Sequence, residues 1–121
     1  MEDLRLSSQR RLRRQADFDR VYAGRNRSED HFLLVYASRN DLGRTRFGLS
    51  VSRKHGGAVR RVRLKRLLRE AFRLEQHVLP EGLDLVLIPR RGGEATLEDL
   101  RDSLKQLVSQ LAARIDGETA S

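Results

Sequence analysis

The sequence predicts an α+β fold in which helices pack on a single mixed β-sheet, with elements in the order α-β-β-α-β-α. Apolar residues recur with a helical period in three segments, whereas three other segments have strand length or strand alternation. A long helical segment separates the second and third strands, which predicts a crossover connection and parallel pairing of those strands. The chain has 121 residues without internal repeats or a low-complexity linker, so we expect one domain over residues 1–121.

The first helix is predicted to follow a basic arm. We expect the arm to cover residues 1–14, which contain the run RRLRR. Beyond it, Phe18, Val21 and Tyr22 are spaced to form one apolar stripe on a short helix. Gly24 comes next, and glycine is the residue that most often ends a helix in the left-handed conformation. The sequence therefore predicts a helix that ends at Gly24.

Two strands are predicted after this helix. Residues 31–38 (HFLLVYAS) are apolar and aromatic and have strand length. Residues 44–52 (RTRFGLSVS) alternate larger apolar side chains with smaller or polar ones. The sequence NDLG between them is typical of a turn. Together these features predict an antiparallel hairpin.

The second helix is predicted from about Ala58 to Gln76 and is strongly cationic. It carries seven arginine or lysine residues against two acids, Glu70 and Glu75. A helical projection places the leucines and Phe72 in one arc and most of the cations opposite. Solvated helix faces usually mix acids with bases, so this imbalance favours nucleic-acid binding over a merely solvated face.

The last two elements are a buried strand and a helix. Residues 83–89 (LDLVLIP) form a short, largely apolar run. Thr96 followed by Asp99 predicts a capping box, which opens a helix with leucines along one face. We expect the chain to fray over residues 116–121.

Composition limits the classes of function. The formal net charge is +8, and only three of the 25 basic residues are lysine. Arginine suits bidentate phosphate contacts, although a GC-rich genome would also favour arginine codons. The absence of cysteine excludes disulfides and cysteine-bound zinc. No segment resembles a signal peptide or a membrane span, so a cytoplasmic location is expected, with membrane-surface binding as the weaker alternative.

Residues for catalysis by this chain are not evident. His31, His55 and His77 are the only histidines, and none has the paired spacing of a metal site on a helix. Asp17 and Asp19 lie in the first turns of a predicted helix, where acids complement the helix dipole, and a similar pair opens the last helix. We find no catalytic triad, P-loop or dinucleotide-binding motif. The prediction is therefore no catalytic residue and no metal ligand.

Two features of the sequence, a set of aromatic residues and a pair of glycines, each allow two interpretations. Phe18, Tyr22 and Phe32 are typical of a core, but aromatic residues directly after a basic arm also suggest a stacking surface for single-stranded bases. Gly56 and Gly57 precede a helix N-terminus, which indicates either an anion site or a plain turn.

Residues 46–73 (RFGLSVSRKHGGAVRRVRLKRLLREAFR) resemble the signature region of the bacterial ribonuclease P protein subunit, in which a GLSVSKK strand leads through a GNAV turn into the helix RNRIKRLIRE.F. RRLRRQADFDRVYAGR and LPEGLDLVLIPRRG are similar to the family's first helix and last strand. The resemblance implies a small basic protein that assembles with a catalytic RNA and promotes endonucleolytic removal of the 5′ leader of precursor tRNA. It implies that the hydrolysis occurs on the RNA with magnesium ions, and that the protein alone binds no cofactor.

The resemblance also implies site residues and an unusual connection. The crossover of the family is of the rare left-handed type. By position, the wall of a cleft for the leader would include Phe18, Tyr22 and Phe32. The residues implied to bind RNA are Arg53, Lys54, Arg61, Arg63, Lys65, Arg66 and Arg69.

Two positions depart from the family pattern. The family usually has asparagine where this chain has Gly57 and Val62, and Val62 falls inside the cationic arc of the predicted helix. Valine cannot replace the hydrogen bonds of an asparagine amide. Two other functions remain open: a ribosomal-type RNA-binding module without a processing role, and a metal-dependent nuclease that acts alone.

Overall fold

The computed structural model of the chain describes residues 6–90 and 94–120. The helices are α1 (Gln15–Ala23), α2 (Ala58–Glu75) and α3 (Leu97–Ala120). The strands are β1 (Arg27–Glu29), β2 (Leu33–Arg39), β3 (Arg46–Leu49) and β4 (Leu83–Pro89), and single 3-10 turns lie at Ser8–Arg10 and Arg53–His55. The predicted α+β class and element order are confirmed, with β1 as an additional short strand.

The four strands form one mixed sheet in the order β1-β2-β4-β3. β4 pairs antiparallel with β2 and parallel with β3, which confirms the predicted parallel pair. The predicted hairpin is wrong, because β4 lies between β2 and β3. Six of the seven residues of β4 are buried, and a strand buried on both faces belongs in the centre of a sheet, with a partner on either side.

The sheet separates two apolar layers. On one face α2 and α3 cover the main core, where the rings of Phe47 and Phe72 stack with centroids 4.2 Å apart. On the other face α1 covers a smaller cluster built around Leu12, Val21 and Val86. Because α1 has only nine residues, it covers only part of that face. The handedness of the β3-α2-β4 crossover stays a prediction.

The basic arm is attached to the sheet where the structure describes it. Residues 1–5 lie outside the described residues. Further on, the Leu12 amide donates to the Phe47 carbonyl at 2.8 Å, and Arg11 forms an isolated parallel bridge with Phe47. The outer edge of β3 is thereby covered by the arm, which fixes the position of its arginines beside α2.

The helix α1 ends at Ala23 with Gly24 as its C-cap, which confirms the predicted end but not the predicted conformation of the glycine. Gly24 has a right-handed conformation (φ −69°), and the left-handed residue is Arg25 (φ 57°), whose amide donates to the Tyr22 carbonyl. The chain therefore turns one residue later than predicted. At the other end of the chain, α3 extends to Ala120, and the fraying expected for residues 116–121 stays a prediction. Ile115 is buried and Asp116 pairs with Arg39 of β2, so α3 contacts the sheet at these two residues.

The start of α3 confirms the predicted capping box. The Thr96 amide donates to Asp99 Oδ2 at 2.9 Å, and the Asp99 amide donates to Thr96 Oγ1 at 3.1 Å. This reciprocal pair satisfies two amides that the helix itself leaves without partners.

Candidate nucleic-acid interface

Helix α2 has a buried face and a cationic face, as its sequence predicts. Leu64, Leu68, Ala71 and Phe72 are buried against the core. On the opposite side Arg63 and Arg66 are exposed, whereas Arg61, Lys65 and Arg69 are half-buried. The last three are spaced four residues apart, so they form a stripe along one side of the helix. Of these five residues, Arg63 and Arg66 form an outward group, and Lys65 and Arg69 form a group toward the arm.

The group toward the arm lines a cavity of about 300 Å³. Lys65 and Arg69 contribute from α2, while Arg11 and Arg13 contribute from the arm. In the described part of the chain, the residues lining this cavity include four cations and no carboxylate. An anion is the ligand that such a cavity would bind. Arg11 and Arg13 were absent from the predicted RNA-binding set, although the basic arm was a signal for them.

The pKa of Arg69 reflects the positive charges around this cavity. Burial of its guanidinium lowers the pKa of Arg69 below its ordinary value, and the positive charges of Arg11 and Arg66 lower that pKa further. A cation that is partly desolvated beside other cations is stabilised when a negative group approaches. The arm and α2 together form a site of positive potential that favours phosphate.

Arg53 and Lys54 lie in a short turn directly after β3. Both are exposed, and the turn that carries them is fixed at its two ends. The Ser52 amide donates to His55 Nδ1 at 3.0 Å, which leaves the hydrogen on Nε2, and Nε2 donates to the Pro89 carbonyl at 2.8 Å. His55 therefore connects this turn to the central strand, a structural role that the sequence analysis did not assign.

Aromatic side chains meet on the sheet face beneath α1. The Tyr22 and Tyr36 rings lie edge to face with centroids 5.0 Å apart, and Phe18 packs in the same cluster. Phe18 lies over Gly48 so closely that a Cβ on that glycine would be 2.4 Å from Phe18 Cζ. Glycine at this position of β3 is what permits Phe18 to approach the sheet.

The structure brings together two of the three predicted cleft aromatics. Phe32 precedes β2 and packs against the main core instead, with its ring against His31. Tyr36 lies beside Phe18 and Tyr22, at the place where Phe32 is expected. Alternation along β2 was the signal available, because Leu33, Val35 and Ala37 are buried in the main core and Tyr36 must face the other way.

Beyond α1 the same sheet face continues toward the basic turn. A second cavity of about 300 Å³ there is lined by Leu34 and Ile88, by the hydroxyls of Ser50 and Ser52, and by Lys54, His55, Pro89 and Arg90. Gly48 and Ser50 are two residues apart on the chain, so they point to the same side of the sheet. The face is therefore open and apolar in the middle, with cations at both ends.

The two departures from the signature lie at the surface. Val62 is exposed, consistent with its position in the predicted cationic arc. Gly57 is the N-cap of α2 with no side-chain cap, and a Cβ there would meet nothing within 4 Å. An asparagine would therefore fit at either place. Gly56, in contrast, has φ 120°, a conformation that side chains rarely adopt.

Within residues 6–90 and 94–120, no group of three histidine or acidic side chains is placed to hold a metal ion. Among the helices of these same ranges, none has the length and apolar character needed to cross a membrane.

Comparison with known proteins identifies the family. The family model described as Ribonuclease P matches residues 6–112. The ribonuclease P protein component of Desulfovibrio desulfuricans is 40% identical over 120 residues, which cover 95% of this chain and 92% of that protein. The solved RNase P protein of Thermotoga maritima has a TM-score of 0.75 at 32% identity and covers 83% of this chain and 96% of its own. That of Staphylococcus aureus has a TM-score of 0.72 at 30% identity, with 85% and 94% covered. The chain therefore belongs to the ribonuclease P protein family, the protein components of a tRNA-processing ribonucleoprotein.

Proposed function

We propose that this chain binds the catalytic RNA subunit of ribonuclease P and the 5′ leader of precursor tRNA, and so promotes removal of the leader by this endoribonuclease complex. The observation that carries the proposal is the juxtaposition of a cationic cavity with an aromatic sheet face at Gly48 of β3. Phosphates suit the first surface, and unstacked bases suit the second.

We assign a different RNA segment to each of the two surfaces. The catalytic RNA binds the cationic residues of α2 and of the turn after β3. The leader binds the sheet face beside α1, where Phe18, Tyr22 and Tyr36 offer ring surfaces. We leave Phe32 out of this cleft because it packs against the opposite core. The RNA-binding set is Arg53, Lys54, Arg61, Arg63, Lys65, Arg66 and Arg69, to which the cavity adds Arg11 and Arg13.

The chain's own part in the reaction is binding and orientation. We propose that magnesium ions act in the complex with RNA and that the chain alone binds no cofactor; among the described residues no group of three histidine or acidic side chains lies together. We therefore assign no chemical step to this chain and propose that the hydrolysis takes place on the RNA. We propose the cytoplasm as its location, with no membrane and no small-molecule substrate as a partner.

A ribosomal-type RNA-binding module without a processing role is the second candidate. It would share the charge and the cationic helix. The open sheet face with the Tyr22–Tyr36 ring pair favours the processing role, since a protein that binds only structured RNA has no need of a stacking surface for single strands.

Reconstitution separates these functions. Precursor tRNA is incubated at near-physiological magnesium with the catalytic RNA, with the purified chain, and with both. We expect weak cleavage by the RNA alone, none by the chain alone and strong cleavage by the two together. Cleavage by the chain alone would indicate an independent nuclease. No stimulation despite tight RNA binding would favour the ribosomal-type module.

A further inference from the structure

The outward face of α2 contains an apolar stripe that phosphate binding does not explain. Val59 is 86% exposed and Val62 is 48% exposed. They are three residues apart on the helix, so their side chains are neighbours. The other large apolar side chains recorded as exposed in the described residues, Leu42 and Val78, lie in separate segments.

The apolar stripe lies next to a side chain that is fixed by the core and next to two arginines. Leu67, which packs against the main core, continues the apolar surface one turn further along the helix. Arg63 and Arg66 line the same face. The two valines therefore form a fixed apolar surface, and Arg63 and Arg66 lie one turn further along the helix on its C-terminal side.

The charges on this face select the kind of partner. Arg63 pairs with Glu94 at 3.4 Å, but both side chains are largely exposed, and such pairs contribute little. A second copy of this chain would place its own Arg63 and Arg66 against these, which repulsion disfavours. A partner that is anionic and also apolar in part fits both features of the face.

An RNA meets that description only where a base leaves its stack. A regular duplex presents phosphates and hydroxyls, while its base faces are covered by neighbouring bases. A bulged or single-stranded nucleotide presents a flat, weakly polar base face between two phosphates. The valines offer an apolar surface for the base, and Arg63 and Arg66, each four residues after one of the valines, offer cations for an adjacent phosphate.

We propose that the Val59–Val62 stripe binds an unstacked nucleobase of the RNA partner, with Arg63 and Arg66 at phosphates on the C-terminal side of the stripe. This inference rests on the proposed function in that α2 faces RNA. It adds that the RNA element bound by α2 is not a continuous duplex.

The test compares the full chain with its Val59→Thr/Val62→Thr variant. Threonine has nearly the shape and helix propensity of valine, so the fold should be retained, and thermal melts check this. The probes are a fully paired RNA duplex and the same duplex with a bulged purine. For the bulged RNA we expect an affinity loss of about three- to tenfold at every salt concentration, with the salt slope unchanged. The duplex should bind both proteins equally.

Other results would overturn the inference. An equal loss for both RNAs, or no loss for either, would mean that no base contacts the valines. A variant that reduced self-association of the chain would identify a second copy as the occupant. Failure of the proposed function is distinguishable, since a chain that binds bulged RNA through these valines yet does not support precursor-tRNA cleavage would refute that function alone.

Discussion

Arg46 donates two hydrogen bonds to Asp84, at 2.8 and 2.7 Å, although the Asp84 side chain has no exposed surface. Asn40 also donates to this carboxylate at 2.8 Å, and Arg20 of α1 pairs with it. One buried charge on the central strand thus connects α1, β3 and the segment after β2. Burial alone would raise the pKa of Asp84, but the hydrogen bonds from Arg46, Asn40 and Arg20 lower it by more, so the net shift is downward.

This cluster predicts an acid-sensitive contribution to stability. Because the folded pKa of Asp84 lies below the unfolded value of about 3.9, its contribution is complete above that value and is lost as pH falls through the folded pKa. Asp84→Asn should destabilise the fold by about 1.5 to 3 kcal/mol at neutral pH, because two arginines lose charged hydrogen bonds. Among the described residues, Arg46 and Arg20 then keep only Asp17, at 3.8 and 3.6 Å, as a counterion. Urea unfolding at several pH values measures both effects.

Glu81→Gln is the matched control for this prediction. Glu81 pairs with Arg10 at 3.1 Å, but it is substantially exposed, so its loss should cost less than about 1 kcal/mol. Equal effects of the two substitutions would contradict the structural role given to Asp84.

The salt dependence of RNA binding tests the cationic surface. Each phosphate neutralised by the protein contributes roughly 0.7 to 0.9 to the slope of log affinity against log salt. Arg63→Ala combined with Arg66→Ala should therefore make the slope shallower by about 1.4 to 1.8. Filter binding of the catalytic RNA over a salt series measures this, and a flat dependence for the unmodified chain would refute electrostatic binding.

Alanine substitutions on the two faces of α2 should affect different properties: stability on the buried face and RNA binding on the cationic face. Leu68 is 1% exposed, so Leu68→Ala should destabilise by about 2 to 5 kcal/mol. Arg69→Ala should weaken RNA binding without loss of stability, because it removes a cation that is partly desolvated beside Arg11 and Arg66. Thermal melts and RNA titrations with both variants provide the comparison, and the reverse order would mean that α2 is rotated from this assignment.

Gly48 predicts a coupling with Phe18. Gly48→Ala would place its Cβ 2.4 Å from Phe18 Cζ, so the ring must leave the sheet. We expect a stability loss of about 1 to 3 kcal/mol. We also expect the substitution to lower the affinity for a leader-bearing precursor more than the affinity for mature tRNA. In a Phe18→Ala background the same glycine substitution should cost less stability. Additive losses would show that the two residues do not restrict each other.

Val62 tests how much the family's asparagine contributes. Val62→Asn should change precursor-tRNA cleavage by the reconstituted complex by less than about tenfold, since the flanking cations are retained and phosphate contacts dominate RNA affinity. Arg63→Ala with Arg66→Ala should cost more. Magnesium is held near physiological concentration, because an excess can replace protein charge. An increase of orders of magnitude for Val62→Asn would indicate that this chain has another role.

Local sequence patterns predicted the helices and strands. The order of the strands in the sheet and the aromatic residues that meet beneath α1 could be learned only from the tertiary structure. The period of α2 and the Thr96–Asp99 capping box were correct, since both depend on residues a few positions apart. The hairpin failed because NDLG is compatible with a turn whether or not its flanking strands pair, and the burial of β4 determined the order. Phe32 packs against the main core, away from Phe18 and Tyr22, because it precedes β2 and does not follow the alternation of that strand.

The place of β4 in the sheet has a consequence for how the chain folds during synthesis. β2 and β3 leave the ribosome first, but neither has the other as a partner, and the strand that joins them ends only at Pro89. Until then two apolar segments expose unpaired edges, which are sites of aggregation. β1 and β2 can pair locally, but completion of the sheet requires contacts between residues far apart in sequence, so we expect slow refolding for a domain of this size. Until the central strand is inserted, we expect such a nascent chain to be prone to aggregation.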